Sequence, residues 1–322
     1  MTFRFSALVL VIALSGCLYH PAIEPYASLQ LSSSSQTGDR LTAKFFGVST
    51  VLITDGRTAV MTDGFLSRPP LLQMLLGPIG PDDARIDYAL ARGKIDRLAA
   101  VFVAHSHYDH AMDSARVARR TGAKLIGTRS VAFIAEGDGF PMQDMRDAGS
   151  GGPFSYGGFT VTAFASPHTE KSFFFQGLIT RPVRPPVWVG AYKEGGNYSY
   201  LVEHRLGSLL VHGSTNVTPG LYDNVRADIV FLGIATLGRG EAKGIVDYWD
   251  EVVGKTQAKL VVPVHWDNFN KSLDRPLEPL PMAIDDFDRA MAWLKHLAAR
   301  DNVKLALMPL FEPIDIMAVV GK

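Results

Sequence analysis

The apolar run 99–104, Ala-Ala-Val-Phe-Val-Ala, delivers the chain directly into His105-Ser106-His107-Tyr108-Asp109-His110. A short β-branched run of this kind reads as a strand, and it ends in four potential metal ligands within six residues. Residues i and i+2 at a strand end project to the same side, so His105 and His107 can share one ion. Asp109 and His110, in the turn beyond, can reach a neighbouring one. Two more histidines sit in matching contexts: His168 follows the run 159–165 in Ser166-Pro167-His168, and His265 ends the run 259–264 in Pro263-Val264-His265-Trp266-Asp267. Both are polar and terminate an apolar run, and both are expected to join the cluster. Neutral imidazoles with a carboxylate suit zinc, as one or two ions, and iron or manganese would also fit.

The rest of the chain is compatible with a sizeable core around such a centre. Its 322 residues are 47% hydrophobic and 20% charged, which excludes wholesale disorder, collagen-like repeats and coiled coil. With 32 basic against 32 acidic residues and no long run of like charge, no nucleic-acid partner is expected, and small-molecule chemistry fits better. Further strands are expected at 42–46, 50–54, 58–62, 124–127, 159–165, 198–203, 208–212, 228–232, 259–264 and 303–307. Helices are expected at 82–92, 113–121, 241–254 and 285–299. Turns such as Asp55-Gly56 and Gly157-Gly158 join neighbouring strands, so the α/β fold cannot be wholly parallel. No stretch completes a GxGxxG or Walker pattern, which disfavours a doubly wound nucleotide fold.

At the N-terminus, the apolar run 5–16 follows Arg4 and ends in Leu14-Ser15-Gly16-Cys17, which holds the only cysteine of the chain. The run is too short for a bilayer-crossing helix, which needs about 20 residues, and reads as a cleaved export signal. Leu-Ser-Gly-Cys resembles the lipobox of bacterial lipoproteins. That resemblance implies cleavage before Cys17, lipid modification of its thiol and a membrane anchor. In a Gram-negative host, Leu18 rather than Asp after the cysteine would favour the outer membrane, facing the periplasm. Residues 18–41 carry Ser32-Ser33-Ser34-Ser35 and no apolar periodicity, the composition of a tether. The expected organisation is a signal peptide at 1–16, an acylated cysteine and flexible tether at 17–41, one domain at 42–312 and a tail at 313–322.

The HSHYDH motif and the two later histidines after strands, together with Phe45-Phe46-Gly47-Val48-Ser49-Thr50 and Thr62-Asp63-Gly64, resemble the metallo-β-lactamase-fold hydrolase superfamily. The likeness is strongest to the branch of L-ascorbate-6-phosphate lactonase and N-acyl phosphatidylethanolamine phospholipase D. It implies a four-layer αββα sandwich with the metals at one edge between two sheets. By the same resemblance, His105, His107 and His168 would bind the first ion, and Asp109, His110 and His265 the second. One position departs from the pattern. Where the family has a bridging Asp in a Gly-Asp-Thr turn, this chain reads His212-Gly213-Ser214-Thr215. A neutral hydroxyl is a poor ligand beside imidazole and carboxylate, which weakens the second site most. The site is then mononuclear, or dinuclear with hydroxide as the only bridge, or completed by His212. The other reading of His212 is a hydrogen-bonded histidine of the interior. Asp267 is a candidate to orient a ligand imidazole.

A metal held by three protein ligands keeps a position for water and brings that water's pKa to about 7, so that hydroxide is the expected nucleophile. Asp109 is the expected proton-handling group. The expected function is metal-dependent hydrolysis of an ester, lactone or phosphodiester in a small-molecule, potentially lipid-like, substrate. The alternative is a membrane-anchored metal- or ligand-binding lipoprotein with weak or no turnover, because Ser214 replaces the bridging Asp. The long segment 172–192, with its aromatic and Arg residues, is either a substrate loop or a packing insertion.

Overall fold

The computed structural model describes residues 19–34, 40–150, 152–169 and 175–322. Cys17 and the expected signal segment lie outside the described residues. Among the described residues, fourteen strands form two sheets. The first comprises β1 (Thr42–Phe45), β2 (Val51–Thr54), β3 (Ala59–Thr62), β4 (Ala100–Phe102), β5 (Lys124–Gly127), β6 (Met145–Asp147) and β14 (Ile314–Asp315), in the order β14-β1-β2-β3-β4-β5-β6. The second comprises β7 (Phe154–Tyr156), β8 (Phe159–Ala165), β9 (Tyr198–His204), β10 (Gly207–His212), β11 (Ile229–Gly233), β12 (Leu260–Val264) and β13 (Lys304–Leu305), in the order β13-β12-β11-β10-β9-β8-β7. Both sheets are mixed, as the hairpin signals require: β1 to β3 pair antiparallel and β3 to β6 parallel. Likewise β7 to β10 pair antiparallel and β10 to β13 parallel.

The helices are α1 (Leu71–Leu76), α2 (Asp83–Gly93), α3 (Tyr108–Ala111), α4 (Ser114–Thr121), α5 (Arg129–Gly137), α6 (Ala242–Trp249), α7 (Phe287–Asp301) and α8 (Ile316–Val319). Local chemistry sets their ends. The Asp82 side chain accepts from Arg85 N and starts α2, Asp286 does the same for α7 through Arg289 N, and left-handed Gly122 stops α4.

The run into the HSHYDH motif is continuously apolar because β4 is buried on both faces. Ala100 and Phe102 enter the core between the sheets. Val101 and Val103 enter a second cluster with Ile86 and Leu90 of α2, Val117 of α4 and Ile134 of α5. On the far side, α6 and α7 cover the second sheet with Trp249, Phe287, Met291 and Leu294. The result is the expected αββα sandwich.

Several elements depart from the sequence reading. Strands β6, β7 and β14 and helices α1, α5 and α8 were not expected, since each is too short or too weakly patterned to show a period. The expected tether is packed over 19–34: a 3-10 helix spans Glu24–Leu29, Tyr26 stacks edge-on against Phe287, and Leu31 N donates to Leu307 O. The expected C-terminal tail belongs to the domain, because β14 pairs with β1 and Ile316 and Met317 are buried.

The second sheet grips the end of β4 through two bonds: Tyr200 Oη donates to Val103 O at 2.7 Å, and Tyr198 N donates to Ala104 O at 2.8 Å. Tyr200→Phe should therefore lower stability by about 1 kcal/mol, the net worth of one buried hydrogen bond. Urea unfolding at fixed metal load measures it, and an unchanged midpoint would remove this bond from the account.

Candidate metal centre

His105 and His107 lie just beyond β4, and Asp109 and His110 lie in the single turn of α3, which His107 caps. His168 follows β8, and His265 follows β12 with a left-handed φ of 60°. In the trio His105, His107 and His168, one potential ligand atom from each residue lies within 4.8 Å of the other two. The same holds for Asp109, His110 and His265. His105 Nε2 faces His107 Nδ1 at 3.0 Å, and His110 Nε2 faces His265 Nε2 at 3.1 Å. The Asp109 carboxylate is 3.2 Å from His265 Nε2. The two trios adjoin, with the His105 and His110 rings 3.9 Å apart.

The outward nitrogens fix which lone pairs point inward. His168 Nδ1 bonds Thr169 O at 3.0 Å, His107 Nε2 bonds Phe175 O at 3.2 Å, and His110 Nδ1 bonds Asp63 Oδ2 at 2.9 Å. A carbonyl or carboxylate can only accept, so each of these nitrogens carries the proton and the opposite one is left as a donor toward an ion. Electrostatics agree for three of the rings. Burial, with neighbouring histidines, holds His105 well below its ordinary value. Burial pulls His107 down to about 4 and His168 down to about 3, so these rings stay neutral. Burial also opposes a charge on His110, but Asp63 and Asp109 outweigh it and raise its pKa. Asp109 is depressed: burial pushes it up, but His110, His265 and His107 prevail and hold it ionised. Imidazole nitrogens converging around one carboxylate, with a proton turned away on His107, His168 and His110, form a donor set that fits metal ions.

Asp63, which the sequence reading quoted without giving it a role, is fully buried. Its Oδ1 accepts from Ala104 N at 2.8 Å and its Oδ2 from Ser49 Oγ at 2.6 Å. One carboxylate thus fixes both the backbone before His105 and the ring of His110. The available signal was an Asp directly after an apolar strand, held here at φ 57°.

Asp267 does not orient an imidazole. Its Oδ1 accepts from Val48 N at 2.7 Å, and its Oδ2 takes Arg68 Nη2 at 2.6 Å in a pair with both side chains fully buried. Gly47 makes room for that guanidinium: its φ is 82° and a Cβ there would lie 1.8 Å from Arg68 Nη2. Val48 O in turn receives His265 N at 2.7 Å. Asp267 therefore holds the backbone at His265, while His265 Nδ1 is buried without a hydrogen-bond partner among the described residues.

His212 and Ser214 are engaged elsewhere. His212 Nδ1 faces Ser199 Oγ at 2.7 Å and Tyr222 Oη at 2.9 Å, and its Nε2 meets Asn216 O at 2.9 Å. With Nε2 donating and Nδ1 accepting, no lone pair is left for a metal, and the interior reading of His212 replaces the ligand reading. Ser214 Oγ accepts from Thr169 N at 3.1 Å. Asn216 Nδ2 donates to His168 O at 3.0 Å. Both bonds secure the loop that carries His168. The segment after 174 leans on the motif: the Phe175 ring lies 5.8 Å from that of His107, and Ser106 N donates to Glu194 O. Gly195, at φ 70°, allows this approach, since a Cβ would meet Ser106 Oγ at 2.2 Å. Residues 172–174 lie outside the described part.

Residues 43–246 match the Metallo-beta-lactamase superfamily. The chain belongs to the metallo-β-lactamase superfamily. Among curated relatives, a UPF0173 metal-dependent hydrolase of Oenococcus oeni is 27% identical over 258 residues, 76% of this chain and 96% of that protein. Another from an Exiguobacterium species is 26% identical over 232 residues, 70% of this chain and 85% of its own length. Among solved structures, Igni18, a novel metallo hydrolase from Ignicoccus hospitalis, superposes with a TM-score of 0.53 at 17% identity, covering 85% of this chain and 97% of that one. This last likeness is one of fold.

Two predictions follow from the buried polar groups. Asp267→Ala strands the Arg68 charge and should cost about 3–5 kcal/mol, whereas Arg68→Met with Asp267→Leu should recover most of that loss. Denaturant unfolding of the two variants tests it, and equal losses would refute it. His212 is pulled down to about 4 from an ordinary 6.5 by burial. Between these values the unfolded chain takes up a proton that the fold refuses, so stability rises with pH across pH 4 to 6.5. The ring's share is about 3 kcal/mol. His212→Gln should flatten, without abolishing, the slope of Tm against pH in that window, since other depressed histidines remain. An unchanged slope would contradict the assignment.

Proposed function

We propose that this superfamily member is a metal-dependent hydrolase that opens an ester, lactone or phosphodiester bond, held at a membrane through Cys17. The adjoining trios His105-His107-His168 and Asp109-His110-His265 are the observation that carries the reading. The names of the curated relatives support hydrolysis, and the lipobox-like Leu-Ser-Gly-Cys supports the anchor. Zinc suits the donor set, and iron or manganese would also fit. When bound, the metal supplies Lewis acidity and lowers the pKa of a coordinated water to about 7.

The protein's own groups do the rest. The protons on His107 Nε2, His168 Nδ1 and His110 Nδ1 are parked on Phe175 O, Thr169 O and Asp63, so three lone pairs face the centre. Asp109 is the only carboxylate of the two trios, and its ionised state suits it to orient the attacking water and pass its proton to the leaving group. Phe175 walls the His107 side. A binding protein without turnover has less behind it, since all six ligand groups are present without the carboxylate at position 214.

The deciding experiment measures metal per chain by elemental mass spectrometry on protein purified without added metal. A panel of carboxylic esters, lactones and phosphodiesters is then screened. About two equivalents, turnover of one class, and loss of both metal and turnover in His107→Ala are the expected outcome. An inert parent that gains activity only with Ser214→Asp would favour the binding protein instead.

A further inference from the structure

Helix α1 is a two-turn element in which Leu71, Leu72, Leu75 and Leu76 are exposed, the last three by 61–71%. At helical spacing, 71 with 75 and 72 with 76 form adjoining rows, so the four make one contiguous patch. Met74 is turned inward, its Sδ 3.8 Å from Asn270 Nδ2. Trp188, 59% exposed, follows Val187, which pairs with Ile79 just past α1 in a two-way backbone bridge at 2.7 and 2.9 Å. A cluster of exposed leucines beside an exposed tryptophan is costly in water and marks a surface that meets something apolar.

Two observations indicate what it meets. First, two stretches of chain join the patch to the metal centre. Asn270 Nδ2 donates to Pro69 O at the start of α1, and Asn270 belongs to the loop of His265 and Phe269, whose rings lie 5.8 Å apart. Trp188 belongs to the segment that begins with Phe175 on His107. Second, the chain enters the described structure on the same rim. Met282 N donates to Tyr19 O and His20 Nδ1 bonds Pro279 O. Pro279 pairs with Asp267, and Asn268 N donates to Glu278 O. Cys17 precedes Tyr19 by only two residues, so an anchor on Cys17 would start from this rim.

We propose that Leu71, Leu72, Leu75, Leu76 and Trp188 form a face that seats in the interfacial layer of a lipid bilayer and turns the rim of the metal centre toward the membrane. The leucines enter the acyl boundary and the indole lies at headgroup level, as amphipathic groups do at such interfaces. A substrate carried in the bilayer then reaches the centre between the loops of Phe175 and Phe269 without crossing open water. The orientation rests on the anchor at Cys17 proposed above, whereas the apolar face stands on its own exposure.

The test uses the full chain in vesicles of phosphatidylethanolamine and phosphatidylglycerol with brominated acyl chains, read by tryptophan fluorescence. Of the four tryptophans, Trp249 and Trp266 are buried and Trp293 is half-buried, so a Trp293→Phe background leaves Trp188 as the exposed reporter for bromine. The expected result is quenching that is lost in Trp188→Phe and in Leu72→Glu/Leu75→Glu, with metal content and turnover of a soluble substrate unchanged. Wild-type quenching that is absent, or that survives in Trp188→Phe, overturns the proposal. So does a lipid-independent dimer that buries Trp188. Because metal content and soluble turnover are read separately, these results can fail while the hydrolase reading stands, and the reverse.

Discussion

Five imidazoles and a carboxylate converge in a largely buried cluster, and each must dispose of a proton, or carry a charge, with little help from solvent. Desolvation settles the state of the rings at His105, His107 and His168 by making the cation too costly. Neutrality alone does not aim a lone pair. That requires an acceptor behind the ring, and here the acceptors come from distant parts of the chain: Phe175 O, Thr169 O and the Asp63 carboxylate. The sandwich brings these together because the segments after β3, β4, β8, β10 and β12 all contribute to one edge. The bonds from Tyr198 and Tyr200 to the end of β4 lock the two sheets at that edge.

Asp63 and Asp267 show why part of this centre was legible in the sequence and part was not. The HSHYDH motif is local: its spacing and the strand before it are visible without any long-range contact. His168 and His265 were recoverable because each terminates an apolar run. A supporting carboxylate has no such mark. Asp267, two residues from His265, looked like the partner of an imidazole. It is instead held by Arg68, 199 positions away, a pairing that no periodicity announces. Asp63 acts across 47 positions on His110. The same limit applies to the segment 19–34, whose polar composition resembles a linker but whose Tyr26 and Leu31 contact α7 and the segment after β13. Pattern reports which face of an element is apolar and leaves unstated which distant surface receives it.

The hydroxyl at position 214 has a consistent place in this arrangement. A carboxylate there would add a second anion to the edge that carries Asp109, and would be tolerable mainly with cations in place. The neutral side chain instead accepts Thr169 N and, with Asn216, secures the turn that presents His168. One residue before the turn, at the end of β10, His212 is kept neutral within a closed network of Ser199, Tyr222 and Asn216. This corner of the edge thus serves position rather than charge.

Asp109 is then the only anionic group in the trios themselves, since Asp63 acts from behind His110 and Asp267 is matched by Arg68. An ion held by His105, His107 and His168 would keep nearly its whole positive charge and act as a stronger Lewis acid than one shared with a bridging carboxylate. An ion at the other trio would meet the Asp109 carboxylate beside His110 and His265. On the proposed hydrolase reading, that asymmetry would place an anionic or strongly polarised oxygen at the His168 side and the proton at the Asp109 side. It follows from charge placement alone, without reference to what lies beyond the edge.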